Sequence, residues 1–337
     1  MKRVYVLGAI VMAGALATAA ADLVAQAPAG QAPAAPGAPG APPGAPGAPG
    51  QPPGPGRGGR GPQLPISSID KIKDNLYFIQ NQGGNTAVFI TANGVVLVDT
   101  KNPNNGQAIL DQVKTVTNKP VTHIINTHTH ADHTGSNAFF PATVEIVTHE
   151  NTAANMKKMK NFAEESTKQG LPDRTYKDKL TLLSGNDAID LYYFGRAHTD
   201  GDTFVVFRNA RVLHPGDAFA SRAPGLIDAG NGGSGVEWGE TITKAAKTIT
   251  NVDTVLPSHV VGANVLLKWQ DFVDWGEFNR LYVSHARESL KAGKTPEQAA
   301  MDFKPGDKFK EYNLSGGRGG AAGNFPAIYA ELQAAAK

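Results

Sequence analysis

Asn126-Thr-His-Thr-His-Ala-Asp-His-Thr-Gly135 places His128, His130, Asp132 and His133 on one short stretch. Residues 121–126, just before it, supply apolar and β-branched side chains at Val121, Ile124 and Ile125 and predict a strand. Gly135 and Ser136 follow, and residues 137–140 can open a helix. The ligand-bearing side chains therefore sit on a loop at a strand's carboxyl end. Neutral imidazole and carboxylate suit Zn2+, and also iron or manganese. A loop points alternate side chains two ways, so one segment can serve two cations. The plain alternative is a polar loop rich in His, but scattered His rarely falls in this pattern beside an acid.

Three later stretches repeat one design: a hydrophobic run, a turn, then a residue able to bind metal. Arg196-Ala-His198-Thr-Asp-Gly-Asp202 follows a predicted strand over 188–194. Leu213-His-Pro-Gly-Asp217 follows one over 211–213, and Leu256-Pro-Ser-His259 follows one over 254–256. Loops at strand ends are where rigid scaffolds present reactive groups. Taken singly, His259 could be an ordinary loop residue and Asp217 part of a Pro-Gly-Asp turn.

His-x-His-x-Asp-His, with these partners in this order, resembles the metallo-β-lactamase-fold hydrolases. The resemblance implies an α/β fold, an αββα sandwich of two facing mixed β-sheets flanked by helices. It assigns His128, His130 and His198 to one metal and Asp132, His133 and His259 to a second. Asp217 matches the carboxylate that bridges both ions. Asp99, ending Val96-Leu-Val-Asp99, matches the acid that braces the metal loop. Two Zn2+ ions per chain follow, with a metal-bridging hydroxide attacking the scissile carbonyl of a small-molecule substrate. Asp132 then has a catalytic role, orienting that nucleophile as well as binding metal.

The lactamase subclass with a Cys ligand is excluded, since the chain has no Cys and His133 stands where that subclass carries Arg. The His133/His259 set resembles the all-His/Asp lactamases, and equally glyoxalase II-like thioesterases and lactonases. A bridging Asp217 suits the latter; export suits the former. Oxygen-reducing di-iron relatives usually carry Glu where this chain has His130.

Composition narrows the class. In 337 residues the formal net charge is +2, so no basic field argues for nucleic acid. A hydrophobic content of 41% suffices for a core. Lys2 and Arg3, then apolar residues 4–16, then Ala19-Ala-Ala21 read as a signal peptide over residues 1–21, with Ala25-Gln-Ala27 as a second cleavage option. The apolar run is short for a membrane span, so the mature chain is expected to be periplasmic or secreted, without a stable span. Residues 22–65 are Pro/Gly/Ala-rich, with little to bury, and read as a disordered linker or a surface-attachment arm. The folded domain is then 66–337.

Within it, a strand is predicted over 76–80 and a hairpin over 87–91 and 95–99, turning at Ala92-Asn-Gly94. A helix is predicted over 107–116, a strand over 144–148 and a helix over 149–160. Residues 162–179 read as a polar surface insertion or lid. A second hairpin spans 203–207 and 211–213. Helices are expected over 238–249 and, singly or as a pair, 266–290. Thr295-Pro-Glu-Gln298 opens another with a capping box. His123, His149 and His285 read as structural, and His214 as a neighbour of the site. Gly230, Gly232, Gly233 and Gly235 read as a surface loop or a flexible rim, and Trp238 as pocket-lining or packed. The expected function is an exported zinc-dependent hydrolase, β-lactam amide first. Lactonase, esterase or thioesterase activity is the alternative, and a non-catalytic metal-binding surface protein a third.

Overall fold

The computed structural model describes residues 64–315 and 320–336. The expected leader and nearly all of the expected linker lie outside these residues. The first sheet holds β1 (Ile69–Lys73), β2 (Leu76–Ile79), β3 (Thr86–Ile90) and β4 (Val95–Val98), an antiparallel meander. After helix α1 (Gly106–Lys114), β5 (Val121–Ile125) joins β4 in parallel. The one-turn helix α2 (Ala131–Thr134), β6 (Glu145–His149), α3 (Glu150–Met156) and β7 (Arg174–Tyr176) complete this half, with β5, β6 and β7 parallel.

The second sheet begins with β8 (Lys179–Leu182), β9 (Ile189–Tyr192), β10 (Phe204–Phe207) and β11 (Val212–His214), all antiparallel neighbours. Helix α4 (Gly235–Thr248) leads to β12 (Thr254–Val255), parallel to β11, and β13 (Leu267–Lys268) closes the edge. Helices α5 (Trp269–Lys291), α6 (Pro296–Asp302) and α7 (Gly320–Ala334) follow.

Period-two alternation with both faces buried makes the layers. Ala87 and Phe89 face the second sheet, whereas Val88 packs outward with Ile109 and Val113 of α1. Val205 and Phe207 meet the first sheet, and Phe204 and Val206 pack under α4 and α5. The Phe89 and Phe207 rings lie 5.3 Å apart in the apolar layer between the sheets. Two mixed sheets flanked by helices form the expected αββα sandwich.

Several expectations need correction. Residues 162–179 are not a lid: Phe162 is buried, Glu165–Gly170 forms 3-10 turns, and the stretch supplies β7 to the first sheet and opens β8 of the second. These strands are short and expose Arg174, Thr175, Lys179 and Thr181, which makes them read as polar loop. The helix after Ser136 is a single 3-10 turn, Asn137–Phe139, because Pro141 holds Phe140 extended at ψ 144. Residues 267 and 268 pair with β12 before α5 begins. Neither β1 nor α7 was expected.

Candidate metal centre

The site sits where the strands end. Asp99 follows β4 and His128 follows β5, whose parallel register sets Val98 beside Ile125. Asp217 follows β11, and His259 follows β12. Asp99 adopts a left-handed φ of 63, a strained conformation for a non-glycine residue. The strain coincides with a dense set of bonds to its carboxylate. Thr127 donates from its backbone N at 2.8 Å and its Oγ1 at 2.7 Å, and His133 Nδ1 lies 2.7 Å from Oδ2. Asp99 thus braces the His-rich loop and leaves His133 Nε2 aimed inward.

His198 and His130 are also held from behind. His198 Nδ1 donates to the Leu226 carbonyl at 2.6 Å. His130 Nε2 lies 2.6 Å from Asp228 Oδ2, so His130 turns Nδ1 inward, 3.0 Å from His198 Nε2. His128 Nε2 is buried with no hydrogen-bond partner among the described residues and faces Asp217 Oδ2 at 3.9 Å. A buried orphan nitrogen is costly unless something else satisfies it.

Asp217 stands in the middle. Its Oδ2 lies 3.6 Å from His198 Nε2, while Oδ1 lies 3.2 Å from His133 Nε2 and 3.1 Å from His259 Nε2. Ser258 Oγ donates to Oδ1 at 2.5 Å. The donor atoms fall into two sets, His128/His130/His198/Asp217 and Asp132/His133/His259, within each of which all atoms lie within 4.8 Å of one another. Asp132 Oδ2 and His259 Nε2 are 3.8 Å apart. Nitrogen lone pairs and carboxylates converging on one volume fit two divalent cations.

Electrostatics reflect the crowding. Burial, reinforced by the neighbouring histidines, holds His128 well below the usual imidazole range. Burial also brings His198 down to about 4, against the pull of Asp217. For His133 burial acts downward, but Asp217 and Asp99 outweigh it and leave this ring well above its ordinary value. Asp217 is lowered well below the carboxylate range because His259, His133 and His128 overcome its burial. His128 and His198 are thus neutral beside an ionised Asp217, the protonation states that bind metal, whereas His133 would give up a proton to a cation.

Glycine lets the scaffold close on these rings. A Cβ on Gly84 would lie 2.2 Å from His133 Cε1. Gly216, at φ 54, would set its Cβ 2.6 Å from Thr127. His214 sits behind this turn as a neighbour of the site: Nε2 reaches the Asn85 carbonyl at 2.9 Å, and Nδ1 accepts from Gly216 N at 3.2 Å. The other histidines are structural. His149 Nε2 donates to Lys177 O and stacks on Tyr193, His285 donates to Ala299 O, and His123 pairs with Thr122 and Glu145.

Two residues escaped the sequence reading. Asp228 lies in a loop without periodicity and meets His130 across 98 residues; only its place before the glycines marks it. Lys101 is fully buried, and its Nζ donates to Ile79 O and Gly84 O at 2.8 and 2.9 Å, fixing the strand behind His133. The glycine-rich segment is no flexible rim: Gly233 N donates to Asp228 O, and a Cβ there would lie 2.2 Å from His198 O. Trp238 packs, donating to Ala218 O at 2.9 Å.

Among curated relatives, the 2,4-dinitroanisole O-demethylase subunit alpha of Nocardioides sp. (strain JS1661) is 37% identical over 102 residues, 29% of each chain. Metallo-beta-lactamase IND-1 of Chryseobacterium indologenes is 26% identical over 200 residues, 56% of this chain and 80% of that one. Among solved structures, the sec-alkylsulfatase Pisa1 from Pseudomonas sp. superposes with a TM-score of 0.66 at 13% identity, over 78% of this chain and 50% of its own. DIM-1 metallo-beta-lactamase superposes at 0.53 with 18% identity, over 64% of this chain and 98% of its own. This chain thus spans under a third of the demethylase subunit and half of the sulfatase. The family model of the metallo-beta-lactamase superfamily matches residues 81–259, the region that carries both donor sets. The chain belongs to the metallo-beta-lactamase superfamily.

Proposed function

We propose that the chain is an exported, zinc-dependent hydrolase acting on a carbonyl, with β-lactam amides as its first substrate class. The observation that carries this is the convergence of two donor sets on either side of Asp217. His128, His130 and His198 would hold one cation, Asp132, His133 and His259 the other. Bound there, two cations would lower the pKa of a water to about 7 and polarise an acceptor oxygen. Asp132 orients the attacking water and accepts a hydrogen bond from it. Asp99, Leu226 and Asp228 keep the imidazoles aimed inward. His128 and His133 are sealed, whereas His130 and His259 keep 20% and 32% of their side-chain exposure, so substrate enters from that face.

The match to lactamases over more than half the chain supports the β-lactam reading. Lactones, esters and thioesters present the same electrophile and remain the alternative. The basic, apolar and small-residue order of residues 1–21 supports export. The test is metal-dependent turnover of a chromogenic β-lactam beside an acyl-homoserine lactone, a thioester and an aryl methyl ether. Chelator-sensitive β-lactam hydrolysis is expected, with His128→Ala and Asp132→Ala inactive but folded. No turnover of any substrate by metal-replete protein contradicts the reading and favours a non-catalytic metal-binding protein. Retained turnover in either variant, with metal content unchanged, refutes the assignment of roles.

A further inference from the structure

The C-terminal helix grips the segment that holds two of the metal-facing histidines. Residues 225–235 contain both outer partners: the Leu226 carbonyl binds His198 Nδ1, and Asp228 binds His130 Nε2. Asp228 N also donates to the His198 carbonyl at 2.9 Å, and Ser234 N to the Ala197 carbonyl at 2.9 Å. The segment is thus bonded to the His198 loop at several points.

Helix α7 fastens this segment at both ends. Asn324, 5% exposed, donates from Nδ2 to the Gly225 carbonyl at 2.6 Å. At the other end Glu331 accepts from Ser234 Oγ, and from Val236 N at 3.2 Å at the start of α4. Arg196, two residues before His198, reaches the same carboxylate at 3.2 Å. Between the ends Ile328, 1% exposed, packs where Gly235 leaves room; a Cβ on Gly235 would meet Ile227 and Ile328 at 2.5 and 2.6 Å. Helix α7 lies beyond residue 259, outside the region the superfamily model matches.

We propose that α7 is a positioning element of the metal centre: by clamping residues 225–235 through Asn324 and Glu331, it holds His130 and His198 in register for the first cation. The physical basis is preorganisation, since a loop already ordered loses less freedom when its ligands engage. His133 takes its alignment from Asp99, and His259 is tied through its backbone N to the Ala220 carbonyl at 2.9 Å; neither partner lies on α7. The clamp therefore acts on one donor set and spares the other. This inference rests on the two-cation reading.

The test uses the full chain with polar variants, because α7 also buries Phe325 and Tyr329 in the aromatic core and cannot be removed without exposing it. Zn2+ affinity is measured against a chromophoric chelator in two backgrounds. His259→Ala isolates the three-histidine set, and His128→Ala isolates the second. Asn324→Ala and Glu331→Ala are expected to weaken the three-histidine set about 10-fold, the low end for loss of a ligand's outer support, while the second set changes less than about twofold. The thermal midpoint of the metal-free protein is followed in parallel and is expected to fall little. Unchanged affinity at the three-histidine set, or equal weakening of both sets with a lowered metal-free midpoint, overturns the proposal and leaves α7 a packing element. Failure of the unmutated protein to bind Zn2+ overturns the two-cation reading itself.

Discussion

At the residue scale, His130, His133 and His198 each aim one nitrogen inward and give the other to a fixed partner. Asp228 is the most consequential of these, because its carboxylate fixes which His130 nitrogen faces the cluster. Replacing it with Ala frees that ring, and Zn2+ affinity is expected to fall by about 10- to 100-fold, the usual cost of losing such a partner. Chelator competition measures this directly. Two other buried groups predict a pH signature of the metal-free fold. Burial brings Lys101 down to about 7 from 10.5, with Asp99 opposing, and raises Asp202 to about 7 from 3.8, with the Thr199 hydrogen bonds opposing. A lysine depressed on folding adds stability above its unfolded value, and that contribution is lost as pH falls through its folded value. A raised carboxylate adds stability below its unfolded value, and that contribution is lost as pH rises through its folded value. These two groups together place a stability minimum near neutrality. Urea midpoints against pH test this: Lys101→Met should flatten the rise above pH 7, and Asp202→Asn the fall between 3.8 and 7. Unaltered limbs in both variants contradict it.

At the element scale, local chemistry decided what could be read from the chain. Ala92-Asn-Gly94 marked the β3–β4 turn, and Thr91 Oγ1 closes it on Gly94 O. Thr295 caps α6 as read: Gln298 N donates to its Oγ1 at 3.2 Å, and Thr295 N donates to Gln298 Oε1 at 2.8 Å. Thr295→Ala should cost about 1 kcal/mol of stability and leave Zn2+ affinity unchanged, as chemical denaturation beside chelator competition would show. Elements without such signals were missed. β7 and β8 are three and four residues long and carry exposed polar side chains. Helix α7 is rich in Ala and interrupted by Pro326, so no clear apolar stripe announces it. The positive φ of Asp99 was equally silent, because a β-rich run gives no sign of its terminal residue turning left-handed.

At the scale of the whole molecule, the sandwich brings together what the chain keeps apart. Parallel pairing of β4 with β5, and of β11 with β12, sends four loops to the same region. The candidate donor residues were legible because the clustered histidines and the later His and Asp residues each follow a hydrophobic run, and the family resemblance sorted them into two sets. The bracing shell was only partly legible: Asp99 ends such a run, but Asp228 and Leu226 gain their roles from contacts across long stretches of chain. Two cations flanking Asp217 would be a directly measurable arrangement. Anomalous diffraction at the zinc edge, on crystals grown with Zn2+, tests it most directly. Two peaks about 3.5–4 Å apart are expected, one on His128, His130 and His198 and one on Asp132, His133 and His259. A single peak, or zinc bound away from Asp217, would contradict it.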